Sequence, residues 1–501
     1  MLLTKYKLAY SLMIIVFALP LLLITNDLWD ASFASYGFRI DNLSGIKEIY
    51  FQTGWHLQYY LYQMIYTLSG YIGIKEEFII KIITIFSVIG ISQEVKRLCI
   101  DSFKIPENMA YIAAYHVLLF PAWFVLVSHV LVIHVLCIYF LLLGYRLVMS
   151  KRQYIAGFFL ILLSFQLESN FMLIIGLIFT DYMLKKRKHV HIKTSYLILS
   201  IITIIFLFTL NQNIFGGYGI WINYNQLQFN SSIIKPAIGH AFNFGIFILT
   251  FTAIPFFIFF KHFKKTYNKN DNIAYLMLFL LLICSIFPYA VLGKSPGLFD
   301  FYNWFYRQAF LLSIPIPILI AFLYSRMEIL ANPIENKRPL YLKISLTCIL
   351  FFSFLYTGFY HKLASEFYQN AIVHSLKKID QPPKGILGIN IKNDRTSRYL
   401  LEIRFYEYNY LFYKAFGQAD WMISNVKRND LNDIFLLNEI QKKVLSGDLS
   451  KITWGASNAH PNCKTIVQID QKKEVKFWDV LKNKHEDVLG FKVMLSDGLE
   501  C

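Results

Sequence analysis

About eleven blocks of largely apolar residues recur along the chain and leave little choice of architecture. They fall at 8–25, 78–95, 108–123, 124–147, 154–168, 170–184, 194–212, 240–260, 272–292, 308–325 and 340–358. A helix needs about 20 residues to cross roughly 30 Å of hydrocarbon, and only a helix or a closed barrel satisfies its backbone there. Of the 501 residues 16% are charged, where soluble domains carry roughly a quarter. The expected fold for residues 1–359 is therefore a polytopic all-α membrane domain of about eleven transmembrane helices. The first block follows a short basic stretch, as a signal peptide would. It is longer than an ordinary signal core and ten further blocks follow it, so it is read as a span.

The formal net charge of +17 would suggest nucleic acid in a soluble protein. Its placement assigns it to topology instead. Counting turns alternately, one set of loops holds Lys96, Arg97, Lys104, Arg146, Lys151, Arg152, the run Lys185–Lys188, Lys261, Lys264, Lys265, Arg326 and Arg338. The alternate set holds only Arg39, Lys47, Lys75, Lys235, Lys294 and Arg307 in longer stretches. The positive-inside rule then places the N-terminus in the cytoplasm. An odd number of spans carries residues after about 360 to the outside.

Residues 360–501 change character, with 21 basic and 17 acidic residues. The segments at 386–391 (ILGINI) and 464–469 (KTIVQI) read as short strands, and 398–416 and 430–446 as helices. A small extracytoplasmic α/β domain over 360–501 is the expectation. Cys463 and Cys501 both fall in it, where a disulfide is chemically allowed; Cys99, Cys137, Cys284 and Cys348 read as buried apolar residues of the spans.

The chemistry-bearing residues stand at the outer edge of the apolar blocks. NDLWDASFASYGF (26–38) puts Asp27 and Asp30 just after the first block. Asp30 suits a helix N-cap and Asp27 a solvated end; alternatively one carboxylate is a general base at the bilayer surface while the other orients an acceptor or a cation. Within region 44–70, Leu57, Leu61, Met64 and Leu68 recur at helical spacing beside Trp55, Tyr59, Tyr62 and Tyr66. That is an amphipathic helix for the headgroup layer, either a resting connector or the roof of a site. GKSPGLFDFYNWFYRQAF (293–310) supplies Lys294 and Arg307. An Arg at the interface binds phosphate bidentately, or snorkels to headgroups; the Lys-Ser-Pro-Gly stretch also makes an ordinary turn, with Asp300 a partner for either cation. Glu168 sits in a short turn between two apolar blocks, where an ionisable group is costly. Trp55, His56, Tyr59, Glu168 and Tyr302 are the candidate substrate contacts. The histidines, including His116, His129 and His134, form no convincing metal set, and no zinc, P-loop or dinucleotide motif occurs in a supporting context.

Taken in order, these features resemble the GT-C superfamily of membrane glycosyltransferases, such as protein mannosyltransferases and aminoarabinose transferases. The resemblance rests on the acidic first loop NDLWDASFASYGF, the aromatic helix GWHLQYYLYQMIY, the ten further blocks, the late loop ending in WFYR, and the terminal soluble region. It covers most of the membrane region as architecture and few residues as motif. It implies inverting transfer of a sugar from a polyprenyl-phosphate-linked donor to a glycan, lipid or protein acceptor at the outer face. Asp27 or Asp30 would be the base, with Arg307 and Lys294 on the donor phosphate. A divalent cation, magnesium or manganese, would be optional, held by Asp27 and Asp30 if present. The family's acids are adjacent or one residue apart. Here Leu28 and Trp29 separate them, which leaves both as candidates, Asp27 the closer to the span.

Three other classes compete. An O-antigen-type polysaccharide polymerase or ligase would centre on Arg in an outer loop. A transporter or flippase would show repeats and intramembrane charges, of which Lys81 is one. A non-catalytic envelope scaffold would need no site at all. The abundance of Ile, Lys, Asn, Phe and Tyr points to an AT-rich bacterial genome, and hence to the bacterial cytoplasmic membrane.

Overall fold

The computed structural model describes residues 2–24, 35, 38, 47, 50, 51, 54–150, 153–186, 194–215, 231–261, 271–297, 304–330, 338–379, 385–392, 405–417, 421–425, 465–473, 475–486 and 488–495. Asp27, Asp30, Asp300, Tyr302, Cys463, Cys501 and the helix expected at 430–446 lie outside them.

The apolar blocks form helices α1 (Leu2–Leu23), α2 (His56–Ile72), α3 (Glu76–Asp101), α4 (Glu107–Leu118), α5 (Val132–Met149) and α6 (Tyr154–Ser164). They continue as α7 (Asn170–Lys186), α8 (Thr194–Phe215), α9 (Ser231–Lys261), α10 (Asn272–Val291), α11 (Pro315–Leu330) and α12 (Arg338–Leu376). Short 3-10 segments cover Pro121–Val127, His129–Leu131 and Trp304–Ser313. Among the described residues seven helices are long and apolar enough to cross a membrane, and nine if each of two bent pairs is one crossing.

Both bends have an identifiable cause. The chain does not turn near 121, as the apolar blocks suggest. Pro121 opens a 3-10 segment that leaves α4 at 44° and continues to Val127, and the reversal comes at Ser128 in extended conformation. The second bend, 42°, falls where Pro315 opens α11. Proline lacks the N–H that would extend the preceding turn, so each crossing re-aims without exposing a donor.

Burial sorts the helices. α4 is buried from Met109 to Leu118 and α11 from Ile316 to Tyr324, so these two form the centre. On α1 the exposed residues Leu8, Leu12, Ile15, Leu19 and Leu23 recur every three or four positions. Such a continuous exposed apolar stripe suits hydrocarbon rather than water. At the ends flanked by basic loops, acids inside the helices meet cations. Glu94 pairs with Arg97 at 2.6 Å and Arg146 at 2.8 Å, Asp181 with Lys185 at 2.6 Å, and Asp271 with Arg326 at 2.8 Å.

α12 runs 39 residues without a break and crosses the expected boundary at 359/360. Beyond the apolar stretch, Phe367, Tyr368, Ile372 and Leu376 pack with Leu411 and Phe412 of α13 (Phe405–Phe416). Four strands follow the order β2–β1–β3–β4, with β1 Gly385–Lys392, β2 Trp421–Asn425, β3 Thr465–Gln471 and β4 Leu489–Leu495. β1 is parallel to β2 and β3, and β4 is antiparallel to β3, with Val467 opposite Val493. A five-residue helix, α14 (Phe477–Leu481), joins β3 to β4. The two strands expected from the sequence are β1 and β3.

α5 and α6 form a hairpin whose backbones touch. A Cβ added at Gly144 would lie 2.7 Å from the carbonyl of Gly157, and one at Gly157 would lie 2.9 Å from that of Gly144. Small residues at such crossings let backbones approach where no hydrophobic gain against lipid drives association. Replacing Gly144 or Gly157 by Ala is expected to cost about 1–3 kcal/mol through overpacking. Thermal unfolding of the detergent-purified protein should show it as a lowered midpoint. Gly70→Ala is the control, since its added Cβ meets nothing within 4 Å.

Candidate functional site

α6 has 11 residues and is about 16 Å long, roughly half the hydrocarbon thickness of a bilayer. Its last carbonyls therefore end inside the apolar bundle. There the N–H groups of Phe165, Gln166 and Leu167 donate to Leu162, Leu163 and Ser164 O at 3.3, 3.2 and 3.1 Å, and each carbonyl also meets a side-chain donor. Asn211 Nδ2 donates to Leu162 O at 2.7 Å, Cys137 Sγ to Leu163 O at 3.7 Å, and Asn170 Nδ2 to Ser164 O at 2.9 Å. Side chains of three other helices thus supply a second donor at each carbonyl of this tightened helix end. The turn that follows, 165–169, carries Glu168 and Ser169.

The hairpin register fixes what faces that turn. With Gly144 beside Gly157 and Cys137 against Leu163, His134 of α5 comes level with it. Ser169 Oγ lies 2.9 Å from the hydroxyl of Tyr289 on α10. Gln212 hydrogen-bonds the Glu168 carboxyl, which burial holds up at about 7.

Three residues past Ala290, Gly293 ends α10 in the left-handed region, at φ +67°. Its N–H donates to Ala290 O at 3.1 Å, and that of Lys294 to Tyr289 O at 3.0 Å. This paired reversal is a Schellman cap, which needs a residue free to adopt positive φ at Gly293. Lys294 therefore leaves the helix at a fixed point. The next residue, Ser295, is held by His240 Nδ1 at 2.8 Å and by Asn243 Nδ2 at 3.1 Å.

Arg307, in the 3-10 segment before α11, acts electrostatically on Lys294, Tyr289 and His134. Burial first, and the Arg307 charge second, lower Lys294 to about 8. Lys294 and Arg307, singled out separately in the sequence, thus lie within electrostatic reach of one another, and Arg307 also of Tyr289 and His134. The Glu168 carboxyl turns to Gln212 of α8, and its neighbour Ser169 meets Tyr289. The group is defined by its chemistry: a guanidinium, an amine lowered to about 8 and a phenol, beside a turn that carries a carboxyl raised to about 7. Such a set can grip a phosphate and hold a hydroxyl.

The aromatic helix forms a different wall. Its aromatic side, not its Leu/Met side, faces the protein. Tyr62 is fully buried and donates to His129 O at 2.9 Å, and Gln58 Nε2 donates to Val130 O at 3.1 Å. Tyr59 stacks on Phe38 at 5.8 Å, His56 on Phe51 at 4.1 Å, and Trp55 lies 6.4 Å from Tyr50. Met64 and Leu68 are exposed. His129 and His134 stand at the head of α5, the first under α2 and the second toward Arg307. Five residues apart, they present different faces, so one short segment borders both walls.

Sequence reasoning passed over Tyr289 and Asn211, polar residues inside apolar blocks, and Ser169 between two of them, and it weighed His134 only as a metal ligand. An isolated Asn or Tyr within a span is the signal that would have found them. Among the described residues no group of three or more His, Cys, Asp or Glu is placed to hold a metal ion, and the two acids proposed for one are not among those residues.

Glu168 has its folded-state value near 7, above the ordinary 4.5, so folding favours its protonated form. The stability it contributes is complete below about 4.5 and is lost as pH rises through about 7. Glu168→Gln keeps the neutral shape and should flatten that loss. Unfolding midpoints of the wild-type protein are expected to fall between about pH 4.5 and 7, and those of the variant to fall less. A neutral-carboxyl infrared band that titrates near 7 and vanishes in Glu168→Gln would identify the group directly.

Comparison with protein-family models, curated proteins and solved structures finds no match to this chain.

Proposed function

We propose that this chain is an integral-membrane glycosyltransferase that moves a sugar from a polyprenyl-phosphate-linked donor to a glycan, lipid or protein acceptor at the outer face of a bacterial cytoplasmic membrane. The observation that carries the reading is the pairing of Arg307 with Lys294 and Tyr289, beside the recessed turn after α6. Arg307 and Lys294 neutralise the charge that grows on the leaving phosphate as the glycosidic bond breaks. Asp27 or Asp30 takes the proton of the acceptor hydroxyl, which attacks with inversion. Trp55, His56 and Tyr59 contact the isoprenoid or sugar from the side of α2, and Tyr302 and Glu168 are further candidate contacts. A divalent cation, where used, would sit with Asp27 and Asp30.

The topology of this reading is finer than the helices alone. Adding α6 and α7 to the seven long helices and the two bent pairs gives eleven crossings. The basic loops then lie in the cytoplasm with the N-terminus, and the four-stranded sheet belongs to an extracytoplasmic α/β domain over 360–501.

An O-antigen-type polymerase or ligase is favoured by one feature, that the cationic group is built around Arg307 in a late loop. The two readings separate by mutation. Sugar transfer in membranes holding the lipid-linked donor pool should fall by about 10²–10³ in Arg307→Gln, and substantially in Arg307→Lys, which cannot bind bidentately. Asp27→Asn or Asp30→Asn should abolish transfer while the protein stays folded and inserted. If both Asn variants transfer normally and Arg307→Gln does not, the polymerase or ligase reading replaces the first.

A further inference from the structure

α12 carries an exposed apolar stripe, Leu342, Leu346, Ile349 and Phe352, and its last exposed position before the sheet region is Thr357. From Leu342 to Tyr360 are 18 residues, about 27 Å of helix, close to one hydrocarbon thickness. Tyr360 thus stands where α12 leaves the lipid. Its ring lies 4.9 Å from that of Phe477, the first residue of α14. α14 is held there from within: Val480 is buried among the α12 residues that form the second apolar core, and Asp479 accepts from the N–H of Lys476 at 3.0 Å.

The outward face of α14 is unusual for a surface that sees only water. Phe477 is 51% exposed, Trp478 64% and Leu481 44%, three large apolar side chains in five residues. Lys472, Lys473, Lys476, Lys482 and Lys484 flank them, all exposed, in a stretch that also carries the acids Asp470, Glu474, Asp479, Glu486 and Asp487. Asp479 is engaged with its own helix start. An aromatic and aliphatic tip rimmed by lysines matches the headgroup layer of an anionic bilayer, where Trp prefers the interface and Lys meets phosphate. The same patch is continuous, through Tyr360, with the lipid-facing stripe of α12.

We infer that α14 is a membrane-docking foot: Phe477, Trp478 and Leu481 enter the headgroup–acyl boundary of the leaflet from which α12 emerges, and the surrounding lysines bind anionic lipid headgroups. The foot fixes the sheet region close to the bilayer plane. It follows from the membrane-spanning character of α12 and is independent of the sugar-transfer reading.

The test uses the full chain reconstituted into bilayers whose lipids are brominated high on the acyl chain. The tryptophan signal lost on going to Trp478→Phe isolates Trp478, and the fully buried Trp123 is part of the constant background. In an equimolar mixture of phosphatidylcholine and phosphatidylglycerol, the Trp478 contribution should be quenched. Reversing charge at Lys476, Lys482 and Lys484 to Glu, or raising salt, should cut that quenching by about half or more. A Trp478 signal that brominated lipid leaves unquenched overturns docking, whether the residue faces water or a protein partner. Equal quenching in pure phosphatidylcholine, unaffected by the Glu variants, overturns the recognition of anionic lipid. Trp478→Phe changes one exposed ring, and the Glu variants are read only where their circular dichroism and thermal unfolding midpoint match the parent. Should a Glu variant fail that check, quenching of the unaltered chain in low and high salt decides the same question.

Discussion

Backbone hydrogen bonding without water is the constraint from which the rest of this molecule follows. Most of its helices meet it by length, running from one polar layer to the other. α6 does not, and its chain tightens at the end instead, with the N–H groups of Phe165, Gln166 and Leu167 donating back to its final carbonyls. Asn211, Asn170 and Cys137 add a second, side-chain donor to each of these carbonyls. The helices that supply these donors are thereby tied to one point. Around that point the turn carrying Glu168 and Ser169 can sit deeper than a loop normally sits.

Recessing the turn changes the chemistry of what surrounds it. Burial keeps Glu168 protonated to about neutrality and holds Lys294 near 8, so both groups sit close to the pH at which proton exchange is easy. Arg307 does not change its charge and supplies the fixed positive field. The Schellman cap at Gly293 sets where Lys294 leaves α10, and the bend at Pro315 sets how the segment bearing Arg307 enters the bundle. Proline and glycine geometry, rather than side-chain contacts alone, thus aims the two cations.

Much of this was legible in the sequence, for reasons that can be named. Apolar runs are long and nearly uninterrupted, so α1, α3, α8 and α10 announce themselves. Glu168, Lys294 and Arg307 stood out because a charge at the rim of such a run is rare. What stayed hidden depends on contacts far apart in the chain. Ser169 and Tyr289 are 120 residues apart, and nothing near either one marks the other. Asn211 looks like an ordinary span residue because its partner, the carbonyl of Leu162, is 49 residues away. The turn near 121 was misplaced because a 3-10 segment is as apolar as an α-helix, and hydropathy does not distinguish a bend from a reversal. The unbroken passage of α12 across 359/360 was hidden by a change in composition that is real but falls within one helix.

That passage has a mechanical meaning. From Leu340 to Leu376 α12 measures about 54 Å, and its far half is clamped into the packing of α13, α14 and the sheet. It is a lever with its fulcrum in the bilayer. A tilt of about 5° in the membrane would carry the far end through about 5 Å, with no hinge between to absorb it. Local changes in bilayer thickness are therefore transmitted to the sheet as displacement, and forces on the sheet return to the bundle as torque.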